Sequence, residues 1–186
     1  MIFDLQPPAL KNELVKLIPL KTEDFEILYK VASDPLIWEQ HPNKNRYQKD
    51  AFKIYFTGAI ESGGAFLVLD IQTDELIGSS RFYEYNSANK SVAIGYTFLS
   101  RDHWGSTYNT ALKSVMLNHA FNFVDTVIFH IGSNNIRSQK AIEKFGAKKI
   151  GEIEIEYYGE EQHLNYVYQI TKEEWQKLSN YHFTAK

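Results

Sequence analysis

The chain has 186 residues, 44% of them apolar and 23% charged, which predicts a single domain over 1–186, burying about 70% of its unfolded surface with a radius of gyration of ~16 Å. Its 20 basic and 23 acidic side chains leave a net charge of −3, so no broad basic surface favours nucleic acid as a partner. The absence of cysteine excludes a disulfide framework, a thiolate nucleophile and a Cys-ligated metal, no clustered His/Asp/Glu spacing suggests a catalytic metal, and no apolar run approaches the ~20 residues of a membrane span.

In chain order, residues 1–20 lack the basic start and continuous apolar segment of a secretory signal, so a cytoplasmic location without membrane attachment is the expectation. Leu14, Val15, Leu17 and Ile18 form a first strand before Pro19, and Thr22-Glu23-Asp24 caps a helix running to about Ala32, where Asp34-Pro35 stops it. A loop carrying Trp38, Glu39, His41 and Pro42 leads to a helix over 48–60, ended by Gly63-Gly64. Strands follow at 65–71, 76–85 and 91–99, with polar turns at Asp74-Glu75 and 86–90. Over 106–124, Leu112, Val115, Met116, Ala120 and Phe123 recur at helical spacing against Lys113, Ser114, Asn118 and Asn122, which predicts an amphipathic helix packed on a sheet. A strand at 127–131, a helix at 136–145, a hairpin of 149–157 and 164–170 around Gly159, and a short docking helix over 172–178 complete the chain.

The stretch from 94 to 147 carries the chemistry. A β-branched and aromatic strand stops at Trp104-Gly105-Ser106-Thr107 and turns directly into a helix, whose unpaired first amides make an anion site. About twenty residues later, a second strand ends in Gly132-Ser133-Asn134-Asn135 and opens a helix bearing Arg137, Ser138 and Lys140. Two strand-to-helix turns with matching polar chemistry suggest one ligand spanning both.

In order and spacing these motifs resemble the GNAT superfamily of acyl-CoA-dependent N-acetyltransferases, in particular the branch with ribosomal-protein alanine and spermidine acetyltransferases. The family's phosphate turn, Arg/Gln-x-x-Gly-x-Gly/Ala, is similar to Asp102-His103-Trp104-Gly105-Ser106-Thr107, with Asp102 and Thr107 departing from the pattern. Asn135-Ile136-Arg137-Ser138 and Phe145-Gly146-Ala147 match later elements, and the resemblance spans residues 14–178.

It implies an α/β (α+β) fold: a mixed, mostly antiparallel sheet of about seven strands, splayed between strands 4 and 5 and flanked by about four helices. It also implies acetyl-CoA as cosubstrate. The pantetheine arm would pair with backbone near Phe98 and Leu99, and the pyrophosphate would sit on the turn of Trp104, Gly105, Ser106, Thr107, Tyr108 and Asn109, where the hydroxyls of Ser106, Thr107 and Tyr108 are further donors. The tyrosine that many members use to protonate the leaving thiolate has no counterpart near Lys140-Ala141-Ile142. Ser138 is the substitute, with Asn135 orienting the pantetheine or sulfur, although helix capping accounts for both residues as well.

The acceptor would be an amine: a protein N-terminus, a polyamine or a small molecule. A lysine-like amine near pKa 10.4 needs a base more than an α-amine near 8 does. Glu84, His41, Glu39 and His103 are the candidates for that base, which the sequence does not assign; Glu84 is put first, although a solvent-facing strand residue accounts for it as well. Trp38, Tyr83, Tyr85 and Tyr96 could line the acceptor cleft, and the alternating Glu152, Glu154 and Glu156 either attract a cationic acceptor or form a solvated strand face. A homodimer through terminal strands is compatible with such a fold. A CoA-binding or protein-interaction module without catalysis is the alternative function.

Overall fold

The structure, a computed structural model, describes residues 3–105, 107–157 and 159–184, the last six by backbone alone. Eight strands form one sheet: β1 (Leu10–Lys11), β2 (Val15–Pro19), β3 (Ala65–Asp70), β4 (Leu76–Asn86), β5 (Ser91–Leu99), β6 (Thr126–Gly132), β7 (Lys148–Glu156) and β8 (Gln162–Thr171). Their order is β1-β2-β3-β4-β5-β6-β8-β7, antiparallel except for the parallel β5–β6 pair. The mixed sheet agrees with expectation. The extra strand is β1, whose two residues are too few to show a period-two pattern.

Alternation along the strands feeds two cores. Val15, Leu17, Phe66 and Val68 face one way, onto Leu112, Val115, Met116 and Ala120 of α3 (Tyr108–Ala120) and Ile142 of α4 (Ile136–Glu143). Leu67 and Phe98 face the other way, onto Leu28 and Ala32 of α1 (Phe25–Ala32) and Phe52, Tyr55, Phe56 and Ala59 of α2 (Lys49–Glu61). The sheet is therefore covered on both faces, and α5 (Lys172–Thr184) lays Trp175 against Phe145.

Several boundaries differ from the sequence reading. α3 starts at Tyr108 and ends at Ala120, because the amides of Phe121, Asn122 and Phe123 close tight turns that bring the chain to β6. The expected loop at Trp38 contains two 3-10 turns, Pro35–Trp38 and Lys44–Tyr47, the first held by the Asp34 carboxylate accepting from the Leu36 amide. α5 continues beyond the short helix expected at 172–178. No helix among the described residues is long and apolar enough to cross a membrane.

The feature that makes a site is where β5 and β6 part. Their parallel ladder pairs Ser91, Val92 and Ala93 with Thr126, Val127 and Ile128 and then stops, while β5 continues to Leu99 and β6 to Gly132. Beyond Ala93, the β6-facing edge of β5 has no strand partner among the described residues. On its other side β5 bulges: Arg81 is opposite Gly95 but Ser79 is opposite Phe98, and Tyr96 takes φ +52. An extra residue in one strand increases local bend and twist, here where the two strands separate.

Candidate active site

Two adjoining cavities occupy the opening. The outer one, about 400 Å³, lies between Phe98, Leu99, Trp104, Gly105, Asn109 and Thr110 on one side and Asn135, Arg137, Ser138, Lys140, Ala141 and Lys144 on the other. The inner one, about 120 Å³, is reached past Trp38, His41, Thr97, Asn109, Asn135, Ser138 and Ala141, which line both.

The turn before α3 is built by conformation. Gly105 has φ +67, and a Cβ there would meet nothing within 4 Å, so glycine is required for backbone freedom and not for space. The Ala111 amide donates to the Thr107 carbonyl as the first turn of α3 forms, and the donors at a helix start carry the positive end of its dipole. The Trp104 indole donates to the Leu99 carbonyl at 2.9 Å, fixing strand end to turn. Across the opening, the Arg137 guanidinium lies over the Trp104 ring at 3.8 Å and donates to the Ile37 carbonyl at 3.2 Å. With Lys140 and Lys144 it gives the outer cavity three cations, and no carboxylate lines it among the described residues.

Of the residues expected to hold the cofactor, Phe98, Leu99, Trp104, Gly105, Asn109, Asn135 and Ser138 therefore meet in one cavity. Ser106 lies outside the described residues. Thr107 is exposed and contributes the backbone start of the helix. Tyr108 corrects one expectation: its hydroxyl donates to the Asp70 carboxylate, which leaves its backbone and not its phenol for an anion. That hydrogen bond also holds the Asp70 carboxyl below its ordinary range.

Asn135 and Ser138 form a cap, the Asn135 side-chain oxygen accepting from the Ser138 amide at 3.1 Å. Capping does not use the Ser138 hydroxyl, which has no hydrogen bond among the described residues and lies where the two cavities join.

The base candidates separate clearly. Glu84 sits at a strand bulge with φ +50, its side chain is 62% exposed, and it lines neither cavity; it stands 3.8 Å from Nδ1 of His130. As a direct base it is displaced by its own backbone, which turns it to solvent. Glu39 faces Arg137 at 3.8 Å and lines neither cavity. His103 lines the outer cavity, its Nδ1 2.7 Å from the Ser100 hydroxyl. His41 lines both cavities, but burial and the Arg46 charge hold its pKa well below the usual histidine range.

Sequence reading passed over His130. It lines the inner cavity with Nδ1 3.0 Å from the Tyr83 hydroxyl, and its Nε2 has no partner among the described residues. Burial lowers its pKa and nearby Glu84 partly opposes this; in the tautomer whose Nδ1–H is turned to the Tyr83 hydroxyl, Nε2 is left as a proton acceptor. The missed signal is its inward register on a buried strand, where it stands between Phe129 and Ile131.

Trp38, Tyr83 and Tyr96 line the inner cavity as expected, whereas Tyr85 packs on Phe3 instead. Arg46 and Tyr157 complete the wall. The Arg46 guanidinium is 1% exposed, bonded through Nε and a terminal nitrogen to Glu160 of the β7–β8 turn, and ringed by Trp38, Tyr55, Tyr96 and Tyr157 at 4.8–5.9 Å. Glu152, Glu154 and Glu156 line neither cavity; they are exposed on edge strand β7, the first bonded to Lys149 and the second to Gln162.

The sequence matches the family description of the acetyltransferase (GNAT) domain over residues 15–148. The chain belongs to the GNAT acetyltransferases. No functionally curated protein matches it in sequence. Among solved structures, a GCN5-related N-acetyltransferase from Brucella melitensis superposes with TM-score 0.79 at 16% identity, over 92% of this chain and 82% of that one. Mycobacterium smegmatis RimJ in complex with CoA-disulfide gives 0.68 at 17% identity, over 89% and 87%. Spermidine N-acetyltransferase from Vibrio cholerae, in complex with CoA and spermine, gives 0.67 at 18% identity, over 89% and 99%. At these identities the likeness is one of fold.

Proposed function

We propose that this chain is an acetyl-CoA-dependent N-acetyltransferase that moves the acetyl group directly to a primary amine within a ternary complex. The observation that carries the reading is the continuity of the two cavities along an unpaired strand edge. A long, polyanionic, amide-bearing cosubstrate suits the outer cavity: Arg137, Lys140, Lys144 and the start of α3 answer its phosphates, and the free β5 edge answers the pantetheine amides. The thioester would then lie at the junction, beside Ser138, Asn135 and Thr97.

The amine enters the inner cavity neutral or gives its proton to His130, which Tyr83 and Glu84 orient and polarise. The amine nitrogen attacks the thioester carbonyl, and a β5 amide in the bulged 96–99 stretch stabilises the oxyanion. As the C–S bond breaks, the Ser138 hydroxyl donates to the departing thiolate. His130 is the base in this scheme, and Glu84 is a positioning residue behind it.

Amine-dependent release of free CoA thiol, with the product's mass increased by one acetyl group, tests the reading. Ser138→Ala should lower kcat well beyond any change in acetyl-CoA affinity. Equal loss of both, or none, removes its role as donor. Acetyl-CoA binding without turnover of any amine would favour a CoA-binding module in place of an enzyme.

A further inference from the structure

The inner cavity contains a buried lysine with no counter-ion. Lys113, on the buried face of α3 one turn after Asn109, lines this cavity and is 4% exposed. Its Nζ makes one hydrogen bond, to the Thr97 hydroxyl at 2.5 Å; that hydroxyl lies 2.7 Å from the Ser80 hydroxyl. Lys113 has no ion pair with any described carboxylate, and no Asp or Glu among the described residues lines the cavity. An ammonium has three donors and tolerates burial only when a negative partner or a full set of acceptors answers it. Arg46, the other strong cation in the wall, is already matched by Glu160. Lys113 has no anionic partner in the described wall; beyond Thr97, its Nζ stands 5.9 Å from the centre of the Phe129 ring.

Packing alone does not explain a lysine here. Its neighbours in the cavity wall include Ile94, Phe129 and Ile142, and methionine would fill the same space without burying an amine. Burial lowers its pKa to about 7, so a negative ligand arriving beside Nζ would find an amine ready to take up a proton. The same wall brings His130 and Ser138 to the cavity, placing a carboxylate site and the proton-transfer groups within one small chamber. Trp38, Tyr83, Tyr96 and Tyr157 supply an apolar and aromatic lining for the rest of a small ligand. A polyamine would meet the opposite of what it needs: cations in the wall and the nearest acidic groups turned outward or paired.

Building on the acyltransferase reading, we propose that Lys113 is the counter-ion for a carboxylate of the acceptor, so that the inner cavity selects a small amino-carboxylate over a polyamine or a decarboxylated amine. Lys113 is then a specificity-determining residue for the amine half of the reaction.

The test uses matched acceptors, phenylalanine with phenethylamine and β-alanine with ethylamine, alongside spermidine. Each is assayed by CoA-thiol release with the wild-type chain and Lys113→Met, and acetyl-CoA binding is measured by thermal shift in the same samples. The expected result is a wild-type kcat/KM at least tenfold higher for the carboxylate member of a pair. In Lys113→Met the KM for that member should rise at least tenfold and the preference fall towards one, while acetyl-CoA still shifts the melting curve. Equal or better wild-type turnover of phenethylamine or spermidine overturns the proposal, as does a carboxylate preference that survives in Lys113→Met. If acetyl-CoA binds but no amino-carboxylate is turned over, the proposal fails and the outer-cavity reading stands. If acetyl-CoA does not bind, both fail.

Discussion

The outer and inner cavities arise from one structural event, the parting of β5 from β6, yet they are built differently. The outer cavity relies on unpaired backbone, a helix start and lysines on a helix surface, all contributed by two contiguous strand-to-helix turns. The inner cavity draws Arg46 from a 3-10 turn, Tyr83 from β4, Tyr96 and Thr97 from β5, Lys113 from α3, His130 from β6 and Tyr157 from just past β7. A cosubstrate shared by many acyltransferases can be held by generic donors. The acceptor has to be distinguished, and that takes buried side chains with specific partners.

Perturbing the inner cavity should therefore disturb chemistry and stability, and perturbing the outer one mainly cosubstrate affinity. His130→Gln keeps a polar side chain and removes the proton acceptor; kcat should fall about 10²–10⁴-fold with little change in acetyl-CoA affinity. Steady-state kinetics showing less than a threefold fall would assign the base elsewhere.

Next in size is Glu160→Gln, which leaves the Arg46 charge buried and unanswered. Breaking a buried pair from one side costs about 3–5 kcal/mol, so calorimetry should find Tm lower by roughly 6–20 °C. A Tm within a degree of wild type would mean that solvent already reaches the pair.

Lys113→Met should act in the opposite direction. The folded chain holds Lys113 to about 7 against an ordinary 10.5, so between those pH values the unfolded chain binds a proton that the folded chain does not. Stability then rises with pH across this window, and the penalty is fully present below about 7. Removing the amine should stabilise the fold by roughly 4–5 kcal/mol at pH 6, with the gain fading towards pH 10.5. Urea titrations of both proteins across that range check the slope as well as the sign.

The smallest effect is expected at Gly105→Ala. A Cβ at φ +67 is strained by backbone and not by crowding, costing about 1 kcal/mol. If the turn relaxes to relieve this, acetyl-CoA affinity should weaken about fivefold, measurable by calorimetric titration.

The outer cavity was the legible half. Trp104-Gly105, Asn135 and Ser138 advertise themselves through turn chemistry and local order, and the strand and helix periodicities carried the sheet that presents them. The inner cavity was not legible, because nothing in sequence links Arg46 to Glu160 or Lys113 to Thr97; those pairings come from tertiary packing. Lys113 reads as one polar residue on the outer face of an amphipathic helix, yet α3 buries Ala111, Leu112, Lys113, Val115, Met116 and Leu117, more than one face, and draws it inward. Glu84 misled for the complementary reason: strand alternation gives a side chain's face only while the strand is regular, and φ +50 marks where β4 is not. β1 and the two short 3-10 turns fell below the length at which any periodicity can be seen.

The central claim is that the splayed strands and the two turns hold acetyl-CoA. A thermal-unfolding titration with acetyl-CoA and CoA, with ATP and NAD as controls, tests it directly. At 100 times the dissociation constant, ligand linkage contributes ~2.7 kcal/mol, which for a chain of this size raises Tm by roughly 5–11 °C. A saturable shift of that size for the CoA compounds, several degrees beyond any shift with ATP or NAD, is the predicted result. No shift at millimolar acetyl-CoA, or equal shifts with all four ligands, would contradict the account.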